Sequence, residues 1–309
     1  MRIAVPDLVT NSYFPALAAE ELGWYASEGI EAHVELLAPA PRAMAALREG
    51  MVDAVAAGAH TPLTVFPQWH GAKLVVALAQ GTPWLLVLRA DLAAQRGDLQ
   101  AVKGLRLGAV PGPDDALRRL LVDAGIELAA DDVRIVPVPG ADAPGASIGV
   151  LAAQALEAHQ LDGFWANALG SETAVGRGVG KILVDVRRGD GPIAAQHYTF
   201  SALVTTEALI ADEPDTVAAA VRAIVQVQHA LRADPIQAAE VGRRRFPPDA
   251  AAMVETLITR DLPFYDPAIS APVVEALNRF ARHLGLLDII VPYEQVVATR
   301  FCSLWQTEP

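Results

Sequence analysis

Arg2-Ile-Ala-Val-Pro6, Thr10-Asn11-Ser12, Tyr13 through Ser27, Ala32-His-Val-Glu-Leu-Leu-Ala38, Arg42 through Gly50 and Asp53-Ala-Val-Ala-Ala-Gly58 together decide the fold. They predict strand, polar turn, helix, strand, helix, strand. The first strand is nearly all apolar, as expected of a parallel strand covered on both faces. Strands alternating with helices in this way give a doubly wound sheet. In such a sheet, ligands bind beyond the carboxyl ends of the strands, where helix N-termini also point. Those ends are Asp7–Tyr13, Ala38–Arg42 and Gly58–Thr61.

Working outward, Thr61 and Pro62 suit the cap and first position of a short helix. Lys73–Ala79 is a strand, Gly81-Thr-Pro83 a break, and Trp84–Leu88 a strand that leaves the first lobe. A new α/β series follows. It comprises a strand at Leu105–Val110, a helix at Ala116–Ala124 stopped by Gly125, a strand at Val133–Val138, a helix at Ala146–His159, a strand end at Leu161–Ala166 and a strand at Lys181–Val186. Tyr198–Thr205 is a strand and forms the return crossover. Helices over Asp215–Ala233 (capped by Asp212 or Asp215), Ile236–Arg245, Ala250–Arg260 and Pro272–Leu284 close the chain, and none of them calls for a site reading. Two crossovers rather than one linker predict two lobes with a cleft and a hinge. The boundaries are 1–82 with 203–309, and 83–202.

At 309 residues, 52% of them apolar and 19% charged, the chain can bury a substantial core. A net charge of -12 argues against nucleic acid or an anionic membrane surface as the main partner. The single cysteine, Cys302, excludes an internal disulfide and a cysteine metal cluster. No window is long and apolar enough to span a membrane. Met1 leads straight into the first strand without the regions of a signal peptide. A periplasmic protein lacking its leader here and a cytoplasmic one are both open readings.

Asn11-Ser-Tyr-Phe-Pro15, Ala18-Ala-Glu-Glu-Leu-Gly-Trp24, Glu28-Gly-Ile-Glu31 and Ala45-Ala-Leu-Arg-Glu-Gly-Met-Val-Asp-Ala54 resemble the solute-binding proteins of ABC importers. The nearest group is the nitrate, sulfonate, taurine and thiamine-precursor class. Pro111-Gly-Pro-Asp and Asp162-Gly-Phe-Trp extend the resemblance over nearly the whole chain. It implies an α/β, two-lobed type II periplasmic-binding-protein fold, each lobe a mostly parallel sheet flanked by helices, with the ligand in the cleft. It also implies a small organic ligand (an organic anion, a sulfonate or an aromatic, pyrimidine-like compound), a transmembrane permease partner, a monomer and no cofactor. Closure would rotate the lobes about residues near 81–84 and 199–202.

Thr10, Asn11, Ser12 and Tyr13 sit where a strand meets a helix, so Ser12 or Asn11 can simply be its cap. They can also hold a carboxylate or sulfonate through backbone N–H groups and the Tyr13 hydroxyl, and the resemblance implies that this loop lines the site. Pro39 follows the second strand, and Ala59, His60 and Thr61 the third. A lone histidine is as readily a structural residue as a ligand contact. Gly112 allows close backbone approach and Asp114 can cap the following helix. This loop lacks the glycines of a dinucleotide site and the Lys-Ser/Thr of a P-loop. The family's matching loop usually carries Ser or Thr, so Asp114 suits an amine or a neutral heterocycle better than an oxyanion.

Trp165 is either core or a stacking wall, with Asn167 beside it as a directional hydrogen-bonding group. Thr82 and Trp84 at the first crossover, and His197 and Tyr198 at the second, would complete such a pocket. Arg42 and Arg89 are the nearby cations. No nucleophile elbow or His-Glu-x-x-His motif is present. His33, His70, His159, His229 and His283 lack partners at ligand spacing, so no metal is expected. The competing reading is a cytoplasmic enzyme on the same fold, akin to pyrimidine synthases, dehydratases or decarboxylases. A sensing module without transport is the third.

Overall fold

The computed structural model describes residues 1–7, 10–141, 148–246 and 248–306, the side chains of 249 and 250 excepted. Its strands are β1 (Arg2–Val5), β2 (His33–Leu36), β3 (Ala54–Gly58), β4 (Ala72–Ala79), β5 (Leu85–Arg89), β6 (Arg106–Ala109), β7 (Arg134–Pro137), β8 (Gly163–Ala166), β9 (Gly180–Asp185) and β10 (Ser201–Thr206). The helices are α1 (Phe14–Glu21), α2 (Trp24–Ser27), α3 (Ala40–Arg48), α4 (Pro113–Asp123), α5 (Ile148–Glu157), α6 (Ala168–Gly176), α7 (Glu207–Asp212), α8 (Pro214–Ala233), α9 (Ile236–Arg245), α10 (Pro248–Asp261), α11 (Ala271–His283) and α12 (Tyr293–Val296). None is long and apolar enough to cross a membrane.

The chain divides into two compact units, Met1–Gly81 with Thr199–Pro309, and Thr82–Tyr198. In the first unit the strand order is β2-β1-β3-β10-β4. β1 pairs in parallel with β2 and β3, while β10 runs antiparallel to both β3 and β4. The second unit repeats the plan as β7-β6-β8-β5-β9, with β5 antiparallel to β8 and β9. Each otherwise parallel sheet therefore has one reversed strand beside its edge. That strand is the one the chain enters on crossing from one unit to the other. The strand expected over Tyr198–Thr205 is β10, which pairs only within the first sheet, and residues 199–202 accordingly belong to the first unit. Thr82 belongs to the second, where its N–H donates to the Gln196 carbonyl and its hydroxyl to that of Ala195.

Several local expectations change for stereochemical reasons. The helix expected over Tyr13–Ser27 breaks at Gly23, whose φ of +78° ends α1 and starts α2. Neither Ser12 nor Asn11 caps α1; its N-cap is Tyr13, without a side-chain bond. Thr61 lies inside a 3₁₀ turn capped by His60, again without a side-chain bond. α4 begins at Pro113 with Gly112 as its cap. The N-cap of α8 is Glu213 rather than Asp212 or Asp215, with Pro214 taking a first-turn position that needs no N–H. Gly125 does stop α4, at φ +76°. α6 and α7 occupy segments to which the sequence reading assigns no element; α7 is a short helix capped by Thr206 Oγ1 accepting from Leu209 N–H. Residues 146–147, where the sequence starts α5, lie outside the described residues.

Each unit has its own core. The first packs α1 and α8 against wholly buried strand residues such as Ile3, Ala56, Val76 and Leu203. The second builds on Phe164, Val87, Ala152 and Leu156. There, α5 and α6 cross so closely that a methyl on Gly149 or Gly170 would collide with the Cα of the other. Gly149→Ala should therefore destabilise the second unit by about 2 kcal/mol in chemical denaturation, the scale of overpacking. Gly176→Ala, with nothing near its missing Cβ, should be neutral or stabilising.

Candidate functional site

The carboxyl end of the first sheet gathers three segments: the loop after β1, the loop after β3, and the start of β10, which arrives there because it runs antiparallel. Thr10, Asn11, Ser12 and Tyr13 are all buried. Thr10 Oγ1 donates to Asp7 Oδ2 at 2.8 Å. Asn11 is held at two points: its side-chain Nδ2 donates to the Asp261 carboxylate, and the Tyr265 hydroxyl donates to its main-chain carbonyl at 2.7 Å. Tyr13 keeps its proton because burial, and then the charge of Asp7, push its pKa upward against the opposing Gly58 backbone.

Ala59 N–H donates to the Phe200 carbonyl at 2.8 Å, tying the β3 loop to the strand that enters beside it. His60 Nδ1 lies 2.9 Å from Thr199 Oγ1, and its ring meets the Phe280 ring edge-on at 5.5 Å between centroids. Burial pushes the His60 pKa down to about 4, so the imidazole is neutral near pH 7. Thr61 is buried beside it. Pro39, the cap of α3, is exposed, as is Arg42.

In the second unit, Trp84 and Trp165 stand 6.1 Å apart between ring centroids, tilted by 49°. Trp165 is 1% exposed and Trp84 9%, so in this structure both are packed side chains rather than an open wall. Asn167 caps α6, its Oδ1 accepting from Gly170 N–H at 3.1 Å. Asp114 Oδ1 accepts from Gly112 N–H at 3.0 Å, and Arg118 lies 3.4 Å from its other oxygen. Gly112, at φ +97°, is a position that only glycine takes without strain. His197 is exposed, whereas Tyr198 is buried and donates its hydroxyl to Asp123, which also holds Arg119. Arg89 belongs to the opposite end of its sheet. There it pairs with Asp162 at 3.2 Å and with Asp91, next to Arg106.

The sequence reading missed the contribution of the C-terminal half. Thr199, Ser201, Asp261, Tyr265 and Phe280 all contact or flank the predicted loops, although the helices carrying Asp261 and Phe280 read as plain scaffold. The one signal available was the run of hydroxyl residues Thr199-Phe-Ser201 opening a strand.

A buried neutral His60 also makes stability depend on pH. Its folded pKa of about 4 lies below the ordinary value of 6.5, so the unfolded chain binds more protons between those limits. The contribution is intact above pH 6.5 and is lost as pH falls towards 4, about 3 kcal/mol in all. Denaturant titrations from pH 7.5 to 4 should show that slope in the wild type, and His60→Gln should remove it.

The chain matches the NMT1-like family model over residues 7–244. No curated protein sequence matches it. Among solved structures it is similar to the sulfonate ABC transporter protein SsuA from Methylobacillus flagellatus KT, described as a putative periplasmic sulfonate-binding protein. The TM-score there is 0.70 at 19% identity, over 99% of this chain and 93% of that one. It is also similar to the periplasmic nitrate-binding protein NrtA from Synechocystis PCC 6803, with a TM-score of 0.69 at 13% identity, over 99% and 86%. The desulfurization enzyme DszB, as a C27S mutant with biphenyl-2-sulfinic acid, aligns with a TM-score of 0.67 at 16% identity, over 98% of each chain. These likenesses establish a shared fold, that of the type II periplasmic binding proteins. With the family model spanning most of its length, the chain belongs to the NMT1-like family.

Proposed function

We propose that this chain is the solute-binding component of an ABC-type importer, which captures a small organic molecule and presents it to a membrane permease. The observation that carries this reading is the repeated sheet plan, each sheet with one reversed strand at the chain crossover. Solved proteins that share the fold bind sulfonate and nitrate on the periplasmic side. A periplasmic location and a permease partner belong to the same proposal.

The chemistry at the strand ends is compatible with capture of a small molecule. The Tyr13 phenol is protonated, the His60 imidazole is neutral and engaged with Thr199, and Asn11 is pinned by Asp261. Uncharged polar groups in fixed positions suit reversible binding, because they orient a ligand by directed hydrogen bonds. The enzyme reading draws on DszB, whose fold this chain shares.

Native mass spectrometry of the purified protein should reveal a co-purified small molecule at one per chain. After prolonged incubation, that molecule should be recovered chemically unchanged. A stoichiometric complex that decays into a new product would reject the transport reading and establish an enzyme.

A further inference from the structure

The connection from α10 to α11 carries two side chains that reach the loop after β1. Asp261, the last residue of α10, accepts from Asn11 Nδ2, and the Tyr265 hydroxyl donates to the Asn11 main-chain carbonyl at 2.7 Å. Asp261 is 1% exposed and Tyr265 is wholly buried. Asn11 is thereby held at its side chain and at its backbone, by residues 250 and 254 positions further along the chain.

The same connection is anchored elsewhere without these two contacts. It runs beside β4, the outer strand of the first sheet, where Ala77 N–H donates to the Pro267 carbonyl at 3.0 Å. Gln80 donates its N–H to the Phe264 carbonyl at 2.7 Å, and its Nε2 to the carbonyls of Asp266 and Ala268 at 2.9 and 2.6 Å. The Tyr293 hydroxyl donates to the Ile269 carbonyl at 2.6 Å. Main-chain bonds of this kind cover a sheet edge. They do not call for a carboxylate buried against a neutral amide, a group that is costly to desolvate. The two contacts to Asn11 are a separate feature of the connection.

Their effect falls on Asn11. A carboxylate only accepts hydrogen bonds, so Asp261 fixes which end of the Asn11 amide faces it. Nδ2 is taken, and Oδ1 is left buried with no partner among the described residues. Buried polar atoms are nearly always paired, so an Oδ1 held in this way is presented to a group from outside the chain. Tyr265 acts on the backbone of the same residue, whose carbonyl also accepts from Phe14 N–H at 3.3 Å where α1 begins. One connection thus sets both the Asn11 side chain and the turn that leads into α1.

We infer that Asp261 and Tyr265 are positioning residues of the solute site, holding the loop after β1 in its binding geometry without touching the solute. This inference rests on the solute-binding reading and adds to it the segment that sets the geometry of its first loop.

The test compares two matched substitutions in the full chain. Tyr265→Phe and Tyr293→Phe each remove one hydroxyl that donates to a main-chain carbonyl, and only the first of them reaches Asn11. The proteins are freed of small molecules by unfolding and refolding. They are then titrated calorimetrically with the compound whose mass native mass spectrometry finds in the purified wild type, and with benzenesulfonate and nitrate. Tyr265→Phe should weaken the tightest of these about tenfold, the scale of one buried hydrogen bond, and Tyr293→Phe should leave it within about twofold. Both should lower the melting temperature of the unliganded protein, so stability alone would not separate them. Asp261→Asn, whose amide oxygen can still accept from Asn11, should retain more affinity than Asp261→Ala. An equal loss of affinity in Tyr265→Phe and Tyr293→Phe would reduce the connection to scaffold and overturn the inference, as would undiminished binding by Tyr265→Phe. A wild type that carries no compound and binds neither probe would instead reject the solute-binding reading, and the inference with it.

Discussion

The pairing of β10 between β3 and β4 is the constraint on which the first unit depends. These two strands are close in sequence, yet they do not bond to one another. They are joined only when the chain returns from the second unit and lays a reversed strand between them, with Val204 opposite Val55 and Leu74. Contacts of such long sequence separation must be closed against chain entropy before they reward it. They are secured here by a strand buried along nearly its whole length and by the packing of α8 over the sheet. Because β10 runs backwards, its first residues emerge at the carboxyl ends of the parallel strands, where loops are free to carry function. Thr199 and Ser201 reach the β3 loop for this reason alone.

The same end of the sheet shows how a polar cluster is held in place without being used up. Asn11 would be a mobile loop residue if left to itself. Asp261 and Tyr265, from the end of α10 and the turn after it, clamp its amide and its carbonyl. His60 is fixed by Thr199 on one edge and by Phe280 against its ring. Burial keeps the imidazole neutral, so the cluster carries hydrogen-bonding capacity rather than positive charge. The second unit treats its strand ends differently. Asn167, Asp114 and Tyr198 spend their hydrogen bonds on α6, on the Gly112 turn and on Asp123, fixing local geometry. Arg89 serves the far end of that sheet, in an ion-pair group where Arg106 and Arg89 together hold Asp162 ionised against the cost of its burial.

Much of the fold was legible because it is local. The apolar runs at Arg2–Val5, Ala54–Gly58 and Ala72–Ala79, the helix pattern of Pro214–Ala233, and the stop at Gly125 are each written in a short window. Where reading failed, a single backbone angle or a neighbouring helix overrode the local pattern. Gly23 divides an apolar stretch that could have stayed helical, and α6 forms in a segment whose glycine lets α5 approach.

By itself, the sequence determined the alternation of strands and helices, the two crossovers, and the polar loops at the carboxyl ends of the strands. These follow from periodicity, caps and turn residues, all of which act within a few positions along the chain. Only the tertiary structure decided which strand is reversed, which polar groups find partners, and which remain open. A hydrogen bond between Asn11 and Asp261, or between His60 and Thr199, joins residues far apart in the chain. No periodic signal encodes such a pair, because the groups meet only after the sheets have assembled.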